Sequence, residues 1–457
     1  MYELMCSRYD GSEKIKSLGL AWAFTQSENS ALGCPRKWTY GYMQSYKVGS
    51  KSKTLIYGIV WHTMCEWFLM DIEKYKSKDD FKRGIDENLN SWIWNELDAL
   101  EDVNQSIRDE WFEDIHKRIC NAAEGWRIHW MEKIYPNYEV AEVEYEVCAK
   151  ILRMDGKPFR PRLEVIEYTL NDGSIIMRPC FVSEVNHEID QTEIELDGKT
   201  VVQTKVKTVV WPWYKIGKID AILKCRKHNR LFILDHKTTT KPGSYESRMS
   251  FDLQLPGYGQ LLQDEIDAGV TDFAKKYKGC RIEGYIWDIC YSNVPSVPKT
   301  LISGKLSTSK GRGCPSWQFE IAMHDLLQDY GSEDAVPGNW SDYQDYLEWL
   351  KTDYDQKYFR LCETHFTSES MRRAKTENYI TACKIADLRK KLSNLPCESK
   401  INSQDFKASF DFISHRYPLC DRHGNCEFGN FCVANNTPWF IYNMQSPKIY
   451  WRSKPTN

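Results

Sequence analysis

Asp220, Asp235 and Lys237 are charged residues set among apolar runs. Ile216 to Leu223 contains Asp220, and Leu231 to Leu234 runs directly into Asp235, His236 and Lys237. Between them, Lys224 to Arg230 is a polar, charged segment suited to a hairpin connection, so the two runs predict an antiparallel pair that brings Asp220 and Asp235 together. A buried carboxylate without a partner is costly. A divalent cation is one partner that would justify two of them. Two carboxylates and a backbone carbonyl, here that of His236, suit a hard ion that prefers oxygen ligands, Mg2+ or Mn2+. Lys237, two residues past Asp235, falls on the same side of its strand because side chains alternate with a period of two. A metal that polarises a phosphate and activates water, beside an ammonium that offsets developing charge, is equipment for phosphodiester hydrolysis. An Asp-x-Lys triplet by itself is common and is usually a solvated strand end, so its neighbours decide the matter.

Those neighbours are Gly217-Lys-Ile-Asp220 one hairpin upstream, Gln254-Leu-Pro-Gly-Tyr258 a loop downstream, and Gly58-Ile-Val-Trp-His62 in an apolar run with helical spacing. Taken together they resemble the motifs of the RecB-like branch of the PD-(D/E)XK nuclease superfamily, over roughly residues 30 to 290. The resemblance implies an α/β fold, a mixed central sheet flanked by helices, with helical N- and C-terminal regions. It implies catalytic roles for Asp220, Asp235 and Lys237, and metal binding by His62, Asp220, Asp235 and the His236 carbonyl. Gln254 and Tyr258, one helical turn apart, would share a face and position the DNA strand. An imidazole ligand would make manganese more competitive than in an all-oxygen site. The bland alternative for His62 is a packed core histidine.

Stepping outward along the chain, residues 18 to 46 and 55 to 75 read as helices, and 80 to 134 as amphipathic helices rich in tryptophan. Strand-like alternation from Tyr138 to Val147 puts Glu142, Glu144 and Glu146 on one face, and no choice among them is made for a further active-site acid. Residues 160 to 212 hold β runs with turn signals at Asn171-Asp-Gly173 and Asp197-Gly198, an insertion ahead of the hairpin. A helix and a core strand follow to about 290, and residues 315 to 395 read as mostly helical. The divisions are 1–137 (helical), 138–300 (nuclease core with the insertion) and 301–457 (helical, cysteine-bearing).

Cys420, Cys426 and Cys432 lie within thirteen residues, with Gly424 and Gly429 freeing the backbone as a ligand loop requires. The resemblance supplies a fourth ligand near the N-terminus, Cys34, and with it a [4Fe–4S] cluster stapling the two ends of the chain. The cysteine spacing departs from the family's, and His423 falls where the first cysteine of that pattern would be, so Cys420 and His423 compete for one position. Zn2+ on the same residues is the alternative metal. Cys65, Cys120 and Cys225 sit singly in apolar patterns and read as core fillers.

The 457 residues are 42% hydrophobic and 13% aromatic, the composition of a folded chain. A formal net charge of -3 provides no global attraction to nucleic acid. Local patches must supply it, such as Lys299, Lys305, Lys310 and Arg312, which lie in a glycine-bearing stretch without an acid. No signal-peptide core or membrane-length apolar stretch is present, and the sixteen cysteines fit a reducing, cytoplasmic compartment. The expected function is a metal-dependent DNA exonuclease acting on single-stranded ends in recombination, repair or replication processing, possibly phage-encoded. With no nucleotide-binding phosphate loop in the chain, unwinding would fall to a separate helicase or recombination partner. The competing readings are a catalytically silent nucleic-acid scaffold of the same fold, or a metal-cluster protein whose acidic motif is accidental.

Overall fold

The computed structural model describes residues 2–4, 22–32, 47–48, 51–100, 103–179, 195–196, 199–210, 212–241, 252, 254–293, 295–392 and 444–445. In chain order the strands are β1 (Tyr2–Leu4), β2 (Trp22–Thr25), β3 (Lys47–Val48), β4 (Tyr138–Lys150), β5 (Arg162–Leu170), β6 (Ile175–Pro179), β7 (Glu195–Leu196), β8 (Lys199–Val210), β9 (Trp213–Cys225), β10 (Arg230–Thr239), β11 (Arg281–Tyr291), β12 (Phe359–His365) and β13 (Met444–Gln445). The helices are α1 (Gln26–Ala31), α2 (Lys53–Met70), α3 (Ile72–Tyr75), α4 (Lys78–Leu97), α5 (Gln105–Lys133), α6 (Gln254–Ala268), α7 (Asp272–Lys276), α8 (Ser316–Tyr330), α9 (Trp340–Trp349) and α10 (Ser368–Leu392).

A mixed sheet in the order β12-β11-β10-β9-β2, with β4 also paired to β9, forms the centre. The hairpin expected around Lys224 to Arg230 is there: β9 and β10 are antiparallel. The return from β10 to β11 is parallel and crosses over through α6 and α7, as a parallel pair requires. Along β10 the side chains alternate between two cores. Phe232 and Leu234 face the tryptophan-rich cluster of α2, α4 and α5, built on Trp61, Trp126 and Trp130. Leu231 and Ile233 face α6, with Leu255, Leu261 and Leu262. The helices start where small polar residues cap them: Ser52 accepts from the Leu55 N–H at 3.3 Å and Asn104 from the Ile107 N–H at 3.0 Å. The β-rich insertion is a second sheet, β1-β6-β5-β8-β7.

Two elements differ from expectation. Residues 22–25, expected as helix, are strand β2, parallel to Trp213–Ile216 of β9, with Phe24 and Thr25 buried. Phe359–His365, within a stretch expected to be mostly helical, is β12, antiparallel to β11. Both are short strands whose identity is set by pairing rather than by local pattern. The central sheet therefore takes strands from either side of the 138–300 stretch. Cys120, expected as a core filler, is exposed on α5, while Cys65 is buried.

Candidate active site

The β9–β10 ladder runs from Lys224↔Leu231 to Ala221↔Leu234 and then stops. One more step in the same register would set Asp220 directly opposite Asp235. Like charges facing each other across strands repel, and the ladder opens at that point. Instead of a backbone carbonyl, the Asp220 side chain takes the next hydrogen bond: the His236 N–H donates to its Oδ2 at 2.8 Å. Because a strand residue sends its N–H and C=O to the same edge, the His236 carbonyl faces this opening too. Further along, the same edge of β9 is taken by β2 at Trp213–Ile216, since β4 occupies the other edge throughout. Gly217 to Asp220 thus form a notch between two partner strands.

Helix α2 brings His62 to the notch. Its Gly58 passes close to β10, where a Cβ would lie 3.4 Å from Thr238 Oγ1. His62 Nδ1 stands 3.3 Å from Asp220 Oδ2. Burial would lower the His62 pKa, but the hydrogen bond and charge of Asp220 outweigh it and raise it. The same contacts work in reverse on Asp220: burial would raise it, and His62 with the His236 N–H holds it down at about 2. Asp235 goes the other way. Burial pushes it up to about 6, with Lys237 pulling down and Asp220 pushing up. The Lys237 ammonium lies 2.5 Å from Asp235 Oδ2, as the two-residue spacing predicts. Apart from that ammonium, the buried oxygen has no hydrogen-bond donor among the described residues.

This arrangement sets a pH dependence. Between its unfolded value of 3.8 and its folded value of about 6, Asp235 holds a proton in the folded state that the unfolded chain has lost. Its contribution to stability is complete below 3.8 and disappears as pH rises through about 6. In urea titrations with EDTA, the wild type should therefore lose stability relative to Asp235→Asn between pH 4 and 6. A pH profile identical in the two proteins would contradict the assignment.

On the face of β10 that packs against α2 and α5, with its ring 5.9 Å from that of His62, His236 Nδ1 is 2.9 Å from Asp288 Oδ2, and Trp126 Nε1 donates to the same oxygen at 2.7 Å. Both partners of the His–Asp pair are almost fully buried, at 2% and 1% exposure. Burial would raise the Asp288 pKa, but His236, His129 and the Trp126 hydrogen bond outweigh it and lower it, so the carboxylate is ionised. The residue that touches Asp220 through its backbone is therefore anchored through its side chain. Sequence reasoning missed this network. Its one signal was an acid, Asp288, next to the end of the largely apolar run Ile282 to Ile289.

Comparison with protein-family models matches residues 25–289, more than half of the chain, to the PD-(D/E)XK nuclease superfamily. This chain belongs to that superfamily. No curated protein matches it. Nucleases of this superfamily use Mg2+ or Mn2+, and the residues present fit such an ion. Two carboxylates and a carbonyl converge on one opening, and among the described residues the buried Asp235 oxygen has no hydrogen-bond donor apart from the Lys237 ammonium. Among the described residues no group of three His, Cys, Asp or Glu side chains is placed to hold a metal ion by side chains alone. The donors gathered here are two carboxylates and a main-chain carbonyl, oxygen ligands of the kind Mg2+ favours.

The nuclease's other expected contacts fall out differently. Tyr258, expected with Gln254 to position the DNA strand, is 6% exposed, and its ring lies against Gly217 of β9, where a Cβ would come within 2.2 Å of Cε1. The tyrosine seats α6 on the strand that carries Asp220. Gln254 opens α6, where the Asp252 side chain accepts its backbone N–H at 2.5 Å. Beside Tyr258 the buried Lys215 is held by Gln26 Oε1 and Asn378 Oδ1, each at 2.8 Å, and burial lowers its pKa to about 7. Glu142 is paired with Lys276 at 2.9 Å and Glu144 with Lys218, so both are engaged in ion pairs. Cys34, Cys420, His423, Cys426 and Cys432 lie outside the described residues.

Gly217→Ala should cost about 1–3 kcal/mol in urea unfolding, the cost of overpacking a filled site. Tyr258→Leu in the same chain should recover part of it. Additive losses would show that the ring contact is not the cause.

Proposed function

We propose that this protein is a RecB-like, metal-dependent DNA exonuclease that hydrolyses phosphodiester bonds from single-stranded ends in recombination, repair or replication processing. The observation that carries the reading is the meeting of Asp220 and Asp235 where the β9–β10 ladder opens, with Lys237 2.5 Å from Asp235. Asp220, Asp235 and the His236 carbonyl would hold Mg2+ or Mn2+, which when bound polarises the scissile phosphate and acidifies water. His62, 3.3 Å from Asp220 Oδ2, joins that set and orients the carboxylate. In the hydrolysis a water oxygen bonds to phosphorus and gives up a proton, as the bond to the leaving deoxyribose oxygen breaks and that oxygen takes up a proton from solvent. The Lys237 ammonium offsets the negative charge that gathers on the phosphate oxygens. Gln254, at the start of α6, would steady the strand being cut. A separate helicase or recombination protein would supply duplex unwinding.

Cys34, Cys420, Cys426 and Cys432 are proposed to hold a [4Fe–4S] cluster, with Zn2+ as the alternative. The pairing of Lys47–Val48 with Met444–Gln445 supports this, because it joins the two cysteine-bearing ends of the chain. The test is anaerobic purification followed by a visible spectrum and an assay on end-labelled single-stranded DNA with and without Mn2+. Broad visible absorption and Mn2+-dependent shortening are expected. A colourless protein that cuts would replace the cluster by zinc or an empty site. One that binds DNA without shortening it would replace the enzyme by a silent scaffold.

A further inference from the structure

Strands β4 and β9 turn over together at one rung. On β9, Ile219 packs in the α6 core, whereas Ala221, two residues on, packs in the tryptophan-rich core. On β4, Val143 lies against the tryptophan-rich core. Tyr145 lies against the α6 core, and its hydroxyl donates to Glu265 Oε1 at 2.6 Å. Residues two apart on a regular strand share a face, so both strands have changed sides. They do so at the same place. The β4–β9 register runs from Val143↔Ala221 to Tyr145↔Ile219, and the rung between them, Glu144 with Asp220, is skipped. Because the β9–β10 ladder ends at Ala221, Asp220 is passed over on both edges of its strand.

Such a turnover needs a residue whose backbone leaves the extended region, and Glu144 is that residue. Among the described residues it is the one non-glycine with a positive φ, 51°. In the left-handed region a Cβ crowds the backbone, so residues with a side chain seldom adopt it. Strain of this kind persists where the surroundings enforce it, and it gathers at functional sites. Here Val143 and Tyr145 are anchored in opposite cores on either side of Glu144. The Glu144 carboxylate is tied to Lys218 of β9, which offsets a charge that would otherwise face Asp220 across the strands. What the turnover delivers is Asp220. Its carboxylate, out of the ladder, accepts the His236 N–H at 2.8 Å and stands 3.3 Å from His62 Nδ1.

We infer that Glu144 is a positioning residue whose strained backbone, rather than its carboxylate, turns Asp220 out of the sheet and into the metal-binding notch. This rests on the nuclease reading above, and it adds the device that sets the geometry of one metal donor.

The test uses the full chain, as wild type, Glu144→Gly, Glu144→Ala and Glu144→Val. Glycine takes a positive φ freely, alanine at a cost like that of glutamate, and β-branched valine at a greater one. In EDTA, Glu144→Gly should melt above Glu144→Ala, the reverse of the order inside a regular strand. Glu144→Ala melting higher would overturn the pivot, whether or not the valine variant folds. Also in EDTA, hydrogen exchange at the His236 amide, measured against Leu234, should quicken about tenfold in Glu144→Val and stay unchanged in Glu144→Gly. Mn2+ titrations read by electron paramagnetic resonance of the free ion should give midpoints within about twofold of wild type for Glu144→Gly and Glu144→Ala, and about tenfold weaker for Glu144→Val. Equal weakening in all three would overturn the inference by making the carboxylate itself the donor. A wild-type midpoint in Glu144→Val would overturn it by making the backbone irrelevant. A wild type that binds no Mn2+ would defeat the nuclease reading, and a quickened His236 amide in Glu144→Val would then still support the pivot.

Discussion

Asp220→Asn should lower Mn2+-dependent DNA hydrolysis by about a thousandfold while leaving the far-UV spectrum and cooperative unfolding in place. The asparagine keeps the shape of the side chain and an oxygen to accept the His236 N–H, which Asp220 holds at 2.8 Å. It removes the charge that stands at the end of the β9–β10 ladder. A bound divalent ion contributes several kcal/mol of charge stabilisation to phosphoryl chemistry, and each 1.36 kcal/mol is a factor of ten in rate. Loss of one of two carboxylate ligands is therefore expected to cost about three powers of ten. Lys237→Ala should lose a similar amount of rate for a different reason, and the two can be separated. Without Lys237, Asp235 loses the cation 2.5 Å away, so Mn2+ should still raise the melting temperature. In Asp220→Asn that metal-induced rise should shrink or vanish. Unimpaired cleavage in Asp220→Asn, or an undiminished Mn2+ shift, would remove Asp220 from the site.

Much of this site was legible in local pattern because its parts are close in sequence. Asp220 and Asp235 flank one hairpin, so apolar periodicity and a polar connection suffice to bring them together. Lys237 follows from strand alternation alone. Gly58 and His62 share one helix, and the sequence shows both the small residue and the histidine one turn on. What could not be read was anything set by a distant partner. Strands β2 and β12 are too short for a local pattern to declare them and are fixed by pairing with β9 and β11. Tyr258 has the right spacing to share a face with Gln254, but spacing cannot say that Gly217 leaves a hole the ring fills. The Trp126–Asp288–His236 network joins residues 162 and 52 positions apart. An aspartate inside an apolar run was visible, but its partners were not.

That network supports the second large prediction. Asp288→Ala should destabilise the protein by about 3–5 kcal/mol, the usual cost of removing one partner from a buried pair. The alanine would leave His236 and the Trp126 indole N–H without their acceptor, at sites 2% and 0% exposed. Replacing both partners, as in Asp288→Leu/His236→Leu, should cost less than the single change, because no polar group is then stranded. Asp288→Asn is the informative variant for function. It retains an oxygen for one donor, so most molecules should stay folded at 25 °C, but the anchor on residue 236 is weakened. The main chain of His236 donates to Asp220 and turns its carbonyl into the same notch, so loosening it disturbs two metal donors without touching either. Asp288→Asn should then need more Mn2+ for half-maximal cleavage than the wild type, with much of the rate recovered at saturating metal. A purely structural role for Asp288 would instead reduce the folded fraction and leave the Mn2+ midpoint of the remaining activity where it was.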